Sequence, residues 1–418
     1  MGKQRSVRER ILRELESLET VDCHSHTMLR RNYYRAEGGY DLFGLMSYFT
    51  RDIQATAGEN IYEGTTTDEE RWRRLKPVLD KTRNVSYWRH NIVTYQKVFG
   101  FRADDVTDGN WKRLNDTIRR KTQDPGWFDH VVRKVCRLKT QVRNVPWFED
   151  WEPEYFTPVL RMESALRLLH PVEREKLAKQ SGLELTNLKQ VKEALVQVTE
   201  DYQRRGAVGI KLAHAYWRTL ACDPVSERTA ASAYQKAVGK GKFTEDEEKA
   251  FQDHIIYWLA SLCAEMGLVF QVHTGVQSTW GHVPHSDPLH LLPLLRAYKS
   301  VRFDLFHAGY PYSRELGMLG KHYPNVWLNM AWMYVITMEG SRQTLREWFD
   351  LVPAYRLLGF GSDVAPPEFI YGHLVMARSC VADVLAEKVA RDFLSLDAAL
   401  DLARKLFHDN PVALYGLK

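Results

Sequence analysis

The chain reads as an α/β protein of the (β/α)8 TIM barrel type, with a large helical insertion after the first strand. Three observations predict this. Short apolar runs alternate with helical stretches, eight such runs can be found, and chemically capable side chains stand where the runs end. Strands alternating with helices point to a parallel sheet with crossover connections, and eight of them suggest a closed barrel. In such barrels functional groups occupy the carboxyl ends of strands.

Taken in order, residues 1–19 place Ile11, Leu12, Leu15 and Leu18 at helical spacing on one face, without the apolar core of a signal peptide. The first strand is expected over Thr20–Cys23, ending at His24. From about 30 to 130 the chain is rich in Arg, Trp and Tyr, as in Tyr87-Trp88-Arg89 and Trp111-Lys112-Arg113. Aromatic residues at these spacings read as the packing of a helical subdomain, and its Arg and Lys residues as a solvated face. The other reading is a lid that supplies substrate contacts. The second strand is expected near Val135–Val142 and the third over Tyr155–Leu160, ending at Arg161. Next come Ala207–Ile210 before Lys211, Leu268–Val272 before His273, and Val301–Phe306 before His307. Asn325–Met330 and Arg356–Gly361, the latter closing near Asp363, complete the eight. The stretch 369–418 is expected to form two helices, with Ser395 capping the second and Asn410-Pro411 marking a helix end. The whole is expected to be a single barrel domain over 1–418.

The 418 residues exceed the roughly 250 of a minimal barrel, which leaves room for the insertion. A net charge of +5 is too weak for a nucleic-acid binder, although it suits a small anionic substrate. No apolar run approaches the ~20 residues of a membrane span. Five scattered cysteines without a CxxC pair argue for a reduced, cytoplasmic protein and against a thiolate metal site.

The chemistry begins at Val21-Asp22-Cys23-His24-Ser25-His26. In an extended segment residues two apart share a face, so His24 and His26 can address one ion while Cys23 and Ser25 point away. With 15 His in the chain, roughly half an HxH is expected by chance, so the motif alone carries little weight. Its weight comes from His273-Thr274-Gly275, His307-Ala308-Gly309 and Gly361-Ser362-Asp363, each closing an apolar strand. Three imidazoles and a carboxylate at strand ends match the ligand set of a catalytic Zn²⁺ or similar divalent ion.

These residues, with Lys211 after the fourth strand, resemble the amidohydrolase superfamily. The segments QVHTG, DPLHLLPLL, FHAGYPYSRELGMLGKHYPNVWLN and GSDVAPPE resemble its amidohydrolase-2 branch, the nodulin and FluG-type domain. The long insertion after the first strand is similar to that of uronate isomerases, another branch. The resemblance implies one divalent metal, Zn²⁺ first and Mn²⁺ as the alternative, held by His24, His26, His273 and Asp363. Asp363 would be the catalytic base, and His307 would orient a carbonyl or join a second metal bridged by a carbamylated Lys211. Unmodified, Lys211 would repel a cation. The implied reaction is hydrolysis of a C–N amide-type bond of a small, carboxylate-bearing substrate by metal-activated water. The alternatives are a uronate-type aldose–ketose isomerisation and a non-oxidative decarboxylation. Substrate contacts are expected from Arg161, Tyr216, Trp217, Arg218, Trp280 and Tyr310, an Arg being able to grip a carboxylate bidentately. The partner is a small molecule, with no nucleic acid or membrane, and the family's habit of self-association leaves a homo-oligomer open.

Overall fold

The computed structural model describes residues 2–34, 39–279 and 281–418. One eight-stranded sheet runs in chain order: β1 Thr20–Ser25, β2 Leu138–Val145, β3 Phe156–Arg161, β4 Gly209–Leu212, β5 Val269–Val272, β6 Arg302–Leu305, β7 Val326–Asn329 and β8 Leu357–Leu358. With helices between the strands, this is the (β/α)8 barrel. The β3–β4, β4–β5, β5–β6 and β6–β7 pairs are all parallel. Most strand residues are buried on both faces, which is why the strands read as continuous apolar runs.

The chain divides into two compact units, one of residues 1–141, 330–350 and 358–411, the other of 142–329, 351–357 and 412–418. In the first unit the Cys23 N–H donates to the Phe360 carbonyl at 3.0 Å and the Asp363 N–H to the His24 carbonyl at 2.9 Å. These bonds tie β1 to the segment that follows β8. Between β1 and β2 the chain is helical, chiefly in Phe49–Ala57, Asp68–Thr82, Ser86–Phe99 and Trp111–Thr122. Helix Asp68–Thr82 starts with a reciprocal capping box between Thr67 and Glu70, which satisfies two N–H groups that have no partner within the helix. The N-terminal helix Gly2–Ser17 buries Ile11 and Leu15. Helix Glu368–Ala390 is long and apolar enough to cross a membrane, but 78% of its most apolar window is buried in the protein.

In the second unit, Glu245–Met266 is the longest helix, capped by Thr244 with Glu247 and stopped by left-handed Gly267. Gly275, just after β5, has φ +70, and a Cβ there would land on the backbone of Gly309 and Tyr310. Glycine is needed here because the loops after β5 and β6 touch.

Three local expectations are corrected. Residues His130–Val135 form a π-helical turn, so β2 starts at Leu138 rather than Val135. β8 has only two residues, because Ala354–Arg356 is a 3₁₀ turn and the Gly359 N–H bonds the Leu406 carbonyl instead of a neighbouring strand. Asn410-Pro411 does not end a helix: the helical backbone passes from Leu396–Arg404 through a π-helical turn at Lys405–Asp409 straight into Asn410–Tyr415, with Pro411 following the π-turn. Ser395 does cap Leu396–Arg404, accepting from the Ala398 N–H.

Candidate active site

In the first unit the β1 motif and the carboxylate after β8 come together. His24 Nε2 lies 3.4 Å and His26 Nε2 3.3 Å from the same oxygen, Oδ1 of Asp363. His24 and Asp363 are buried, and His26 keeps 39% of its side chain exposed, so the group opens outward on the His26 side. Asp363 sits at φ +54, in the left-handed region.

Four hydrogen bonds brace that turn. The Asp363 N–H is tied to the His24 carbonyl, and the Tyr48 hydroxyl donates to the Asp363 carbonyl at 2.5 Å. One residue back, the Ser362 N–H donates to Asp22 Oδ1 at 2.7 Å, while the Ser362 carbonyl accepts from His373 Nδ1 at 2.9 Å. Burial pushes the Asp22 carboxyl up to about 7 and pulls the His373 imidazole down to about 3, with His90 nearby acting in the same direction. His373 is therefore neutral and carries its proton on Nδ1. Tyr48 also packs against Trp332, with ring centroids 4.7 Å apart, and Tyr87 stacks on Tyr48 at 5.6 Å. These aromatic rings wall the Asp363 turn.

The second unit gathers the other strand-end groups. His307 Nε2 and His273 Nδ1 are 2.9 Å apart, and His273 Nε2 lies 2.8 Å from the Val276 carbonyl. A carbonyl can only accept, so His273 Nε2 carries a proton and Nδ1 holds the lone pair that meets the His307 N–H. His307 and Ala308 both have positive φ, 60° and 51°. Tyr216 covers His273 at 4.8 Å between ring centroids. Lys211 pairs with Arg161 in the β3–β4 register, and its buried Nζ sits 3.4 Å above the Phe306 ring.

The expected substrate contacts separate in this unit. Arg161 is bonded to Glu163 at 3.3 and 3.4 Å with 39% of its side chain exposed, which leaves donors available. Arg218 is committed elsewhere: it donates to Asp253 at 2.6 Å, to Gln252, and to the Thr219 and Ala221 carbonyls, with only 9% of its side chain exposed. It is a structural ion pair. Trp217 is exposed, and Tyr310 is partly exposed beside a cis bond to Pro311. His214, three residues beyond Lys211, is buried, and burial pulls its imidazole down to about 3, so it is a neutral packing group. Trp280 lies outside the described residues. Tyr48, Trp332 and His373 were not among the residues expected to serve the site. Asp22 carried a readable signal, a carboxylate inside an apolar strand.

The donor chemistry around Asp363 fits a divalent transition ion, because two imidazole nitrogens converge on one carboxylate oxygen. A family model described as amidohydrolase matches residues 174–417, more than half of the chain. The chain belongs to the amidohydrolase family. Members of this superfamily are metal-dependent enzymes that act on small molecules. Among curated relatives, the protein fluG of Emericella nidulans is 30% identical over 148 residues, covering 35% of this chain and 17% of that protein. The uronate isomerase of Nostoc punctiforme is 26% identical over 311 residues, covering 68% of this chain and 65% of that protein. This amidohydrolase chain thus spans less than two thirds of either relative. Among solved structures, uronate isomerase from Thermotoga maritima superposes with a TM-score of 0.84 at 16% identity, covering 98% and 97% of the two chains. Glucuronate isomerase from Caulobacter crescentus gives 0.84 at 20% identity, covering 99% and 95%. At these identities the structural likeness shows the fold.

The comparisons correct the expected reaction. Hydrolysis of a C–N bond rested on the FluG-like segments, and that likeness extends over about a third of the chain. Uronate isomerases recur among the relatives over much longer stretches and among the structural neighbours over almost the whole length. Short strand-end motifs are shared across the superfamily and report the metal-holding frame more than the reaction carried on it.

Proposed function

We propose that this amidohydrolase is a metal-dependent aldose–ketose isomerase acting on a sugar acid of the hexuronate class. The observation that carries the reading is the recurrence of uronate isomerases among the relatives, each along 43–68% of the chain. One divalent ion, Zn²⁺ or Mn²⁺, would be held by His24, His26 and Asp363. His273, whose Nε2 carries a proton and whose Nδ1 lone pair accepts from His307, offers no lone pair to it in this arrangement. When bound, it supplies Lewis-acid polarisation of the sugar's carbonyl and neighbouring hydroxyl oxygens. A single ion is favoured by the place of Lys211: its Nζ above the Phe306 ring suits an ammonium, whereas a carbamate anion would meet the ring's negative face.

The net change moves one hydrogen from C2 to C1 and one proton from the C2 hydroxyl to the carbonyl oxygen, so atoms balance without an external oxidant. Asp363 takes the C2 proton and returns it at C1, held for that task by its braced turn. His307 donates to or accepts from the oxygen that changes state, its proton buffered by the adjoining His273. Arg161 grips the sugar carboxylate, with Glu163 keeping the guanidinium oriented. Tyr216, Trp217 and Tyr310 border the sugar, and a reducing, cytoplasmic setting accords with five buried cysteines that form no disulfide.

The test is incubation of the metal-loaded enzyme with a hexuronate panel including glucuronate in deuterated water, followed by NMR. Ketose formation, lost in Asp363→Asn, is expected. No ketose from any hexuronate at full metal content would overturn the proposal.

A further inference from the structure

The insertion contains a cavity remote in sequence from every strand end. It encloses about 340 Å³ and is lined by Phe99, Gly100, Phe101 and Arg102 after helix Ser86–Phe99, and by Arg113, Leu114, Thr117, Arg120 and Lys121 on helix Trp111–Thr122. Four of these residues are cations and none is acidic. On the helix, positions 113, 117, 120 and 121 recur at three- and four-residue intervals, so their side chains share one face. Phe99, Phe101 and Leu114 are buried and form an apolar floor.

Among the described residues, many cations elsewhere in the insertion are paired, and those that are not, such as Arg73, Lys81 and Arg89, do not line this cavity, where four cations converge. Arg71 and Arg119 meet Asp41 and Asp68, Arg83 meets Asp80 and Asp105, Lys76 meets Asp108, and Lys112 meets Glu69. Among the described residues, Arg102, Arg113 and Arg120 have no carboxylate within ion-pair distance. Lys121 donates to the Val98 carbonyl at 3.0 Å and lies 4.8 Å from the Trp127 ring centroid, which fixes its ammonium at the cavity wall. Like charges gathered on one face disfavour one another, an effect only partly offset by Asp116, which lies one turn from Arg113 and Arg120 without an ion pair to either. Arg120 adds to the burial that lowers the Lys121 pKa. An anion entering the cavity relieves that repulsion. Its size is within the range of small-molecule sites and small for a macromolecular surface.

We propose that this cavity binds a multiply phosphorylated small molecule, whose adjacent anionic groups are shared among Arg102, Arg113, Arg120 and Lys121 and whose remaining part lies on the apolar floor. Guanidinium forks suit phosphate oxygens, and several phosphates would use several forks. The site is separate from the metal donors and does not depend on the reaction proposed above.

Calorimetry with inorganic tripolyphosphate on the metal-loaded full chain tests this, beside the variants Arg113→Glu/Arg120→Glu and Arg113→Ala/Arg120→Ala. Both arginines are exposed, so the variants should fold, and an unchanged thermal midpoint checks it. Binding of one tripolyphosphate per chain is expected, weakened at least roughly tenfold by the double Ala variant and abolished by the double Glu variant. Raising salt from about 50 to about 500 mM should also weaken it, as charge screening requires. Equal binding to all three proteins would place the anion on the metal site and overturn the proposal. So would no binding to the parent chain, or binding of long polyanions such as heparin with none of tripolyphosphate.

Discussion

Replacing His373 with Leu removes one of the bonds that brace the Asp363 turn, and its effect can be worked through. The Ser362 carbonyl would keep its buried position and lose the imidazole donor at 2.9 Å. An orphaned buried acceptor costs about 1–3 kcal/mol, and since Leu and His are similar in volume the cavity contribution is small. Asp363 at φ +54 already holds a conformation that costs an L-residue about 1–2 kcal/mol. Losing the brace therefore brings the relaxed and braced turns to comparable free energy, and the fraction of molecules with Asp363 correctly placed falls. At 1.4 kcal/mol per tenfold, kcat should drop roughly 10- to 100-fold, the range seen when groups that orient metal ligands are removed. The KM should change little, because no substrate contact is touched. His373→Asn keeps an N–H donor near the Nδ1 position and should recover much of the rate. The assay is steady-state kinetics normalised to metal content, alongside a thermal scan. If His373→Leu lowers the thermal midpoint while kcat per bound metal stays at the parent value, the imidazole merely packs and the positioning role is wrong.

Other perturbations separate the roles of neighbouring groups. Arg218→Met should destabilise by about 1–3 kcal/mol, because buried Asp253 loses the guanidinium but keeps Lys249 and the Asp223 N–H, whereas Arg161→Met should raise KM for the sugar acid and leave the melting curve in place. Burial raises Asp304 from 3.8 to about 7, against bonds from Tyr415, Asn329 and Gln271. Its folded pKa lies above its unfolded one, so its contribution to stability is complete below pH ~3.8 and is lost as pH rises through about 7. Thermal midpoints of the parent minus those of Asp304→Asn should accordingly fall between pH 5 and 8, and a difference that stayed flat would contradict the assignment. Gly275→Ala forces a Cβ onto the Gly309 and Tyr310 backbone and should cost several kcal/mol, read as lost soluble expression or a lowered midpoint. Removing metal by chelator dialysis should abolish turnover, with Zn²⁺ or Mn²⁺ restoring it.

The barrel was legible because its signal is local and repeated. Each buried strand writes its own apolar run, and β1, β3, β4, β5, β6 and β7 lie within two residues of where those runs place them. β8 was overdrawn, since an apolar stretch does not reveal that its N–H groups bond elsewhere. The histidines and Asp363 were legible for the same reason, each standing next to its own strand. What holds them was not. Tyr48 reaches the Asp363 carbonyl across 315 positions of chain, and nothing in its neighbourhood distinguishes it from the packing aromatics of the insertion. Arg218 looked like a substrate anchor until Asp253, 35 residues on, claimed its guanidinium. A charge's role depends on its partner, and partners distant in sequence are invisible to spacing.

The left-handed turn at Asp363 also shapes how this position can change over time. Gly, Asn and Asp pay the least for that backbone region, and of these only Asp has a titratable carboxylate. Glu, the substitution that would preserve acidity, brings a longer side chain and a less tolerated backbone together. Mutational paths away from Asp363 therefore lead at once to chemically inert residues, with no graded series between. A saturation library at this codon should return a two-valued landscape, active or dead, while positions on the exposed face of the insertion yield a continuum.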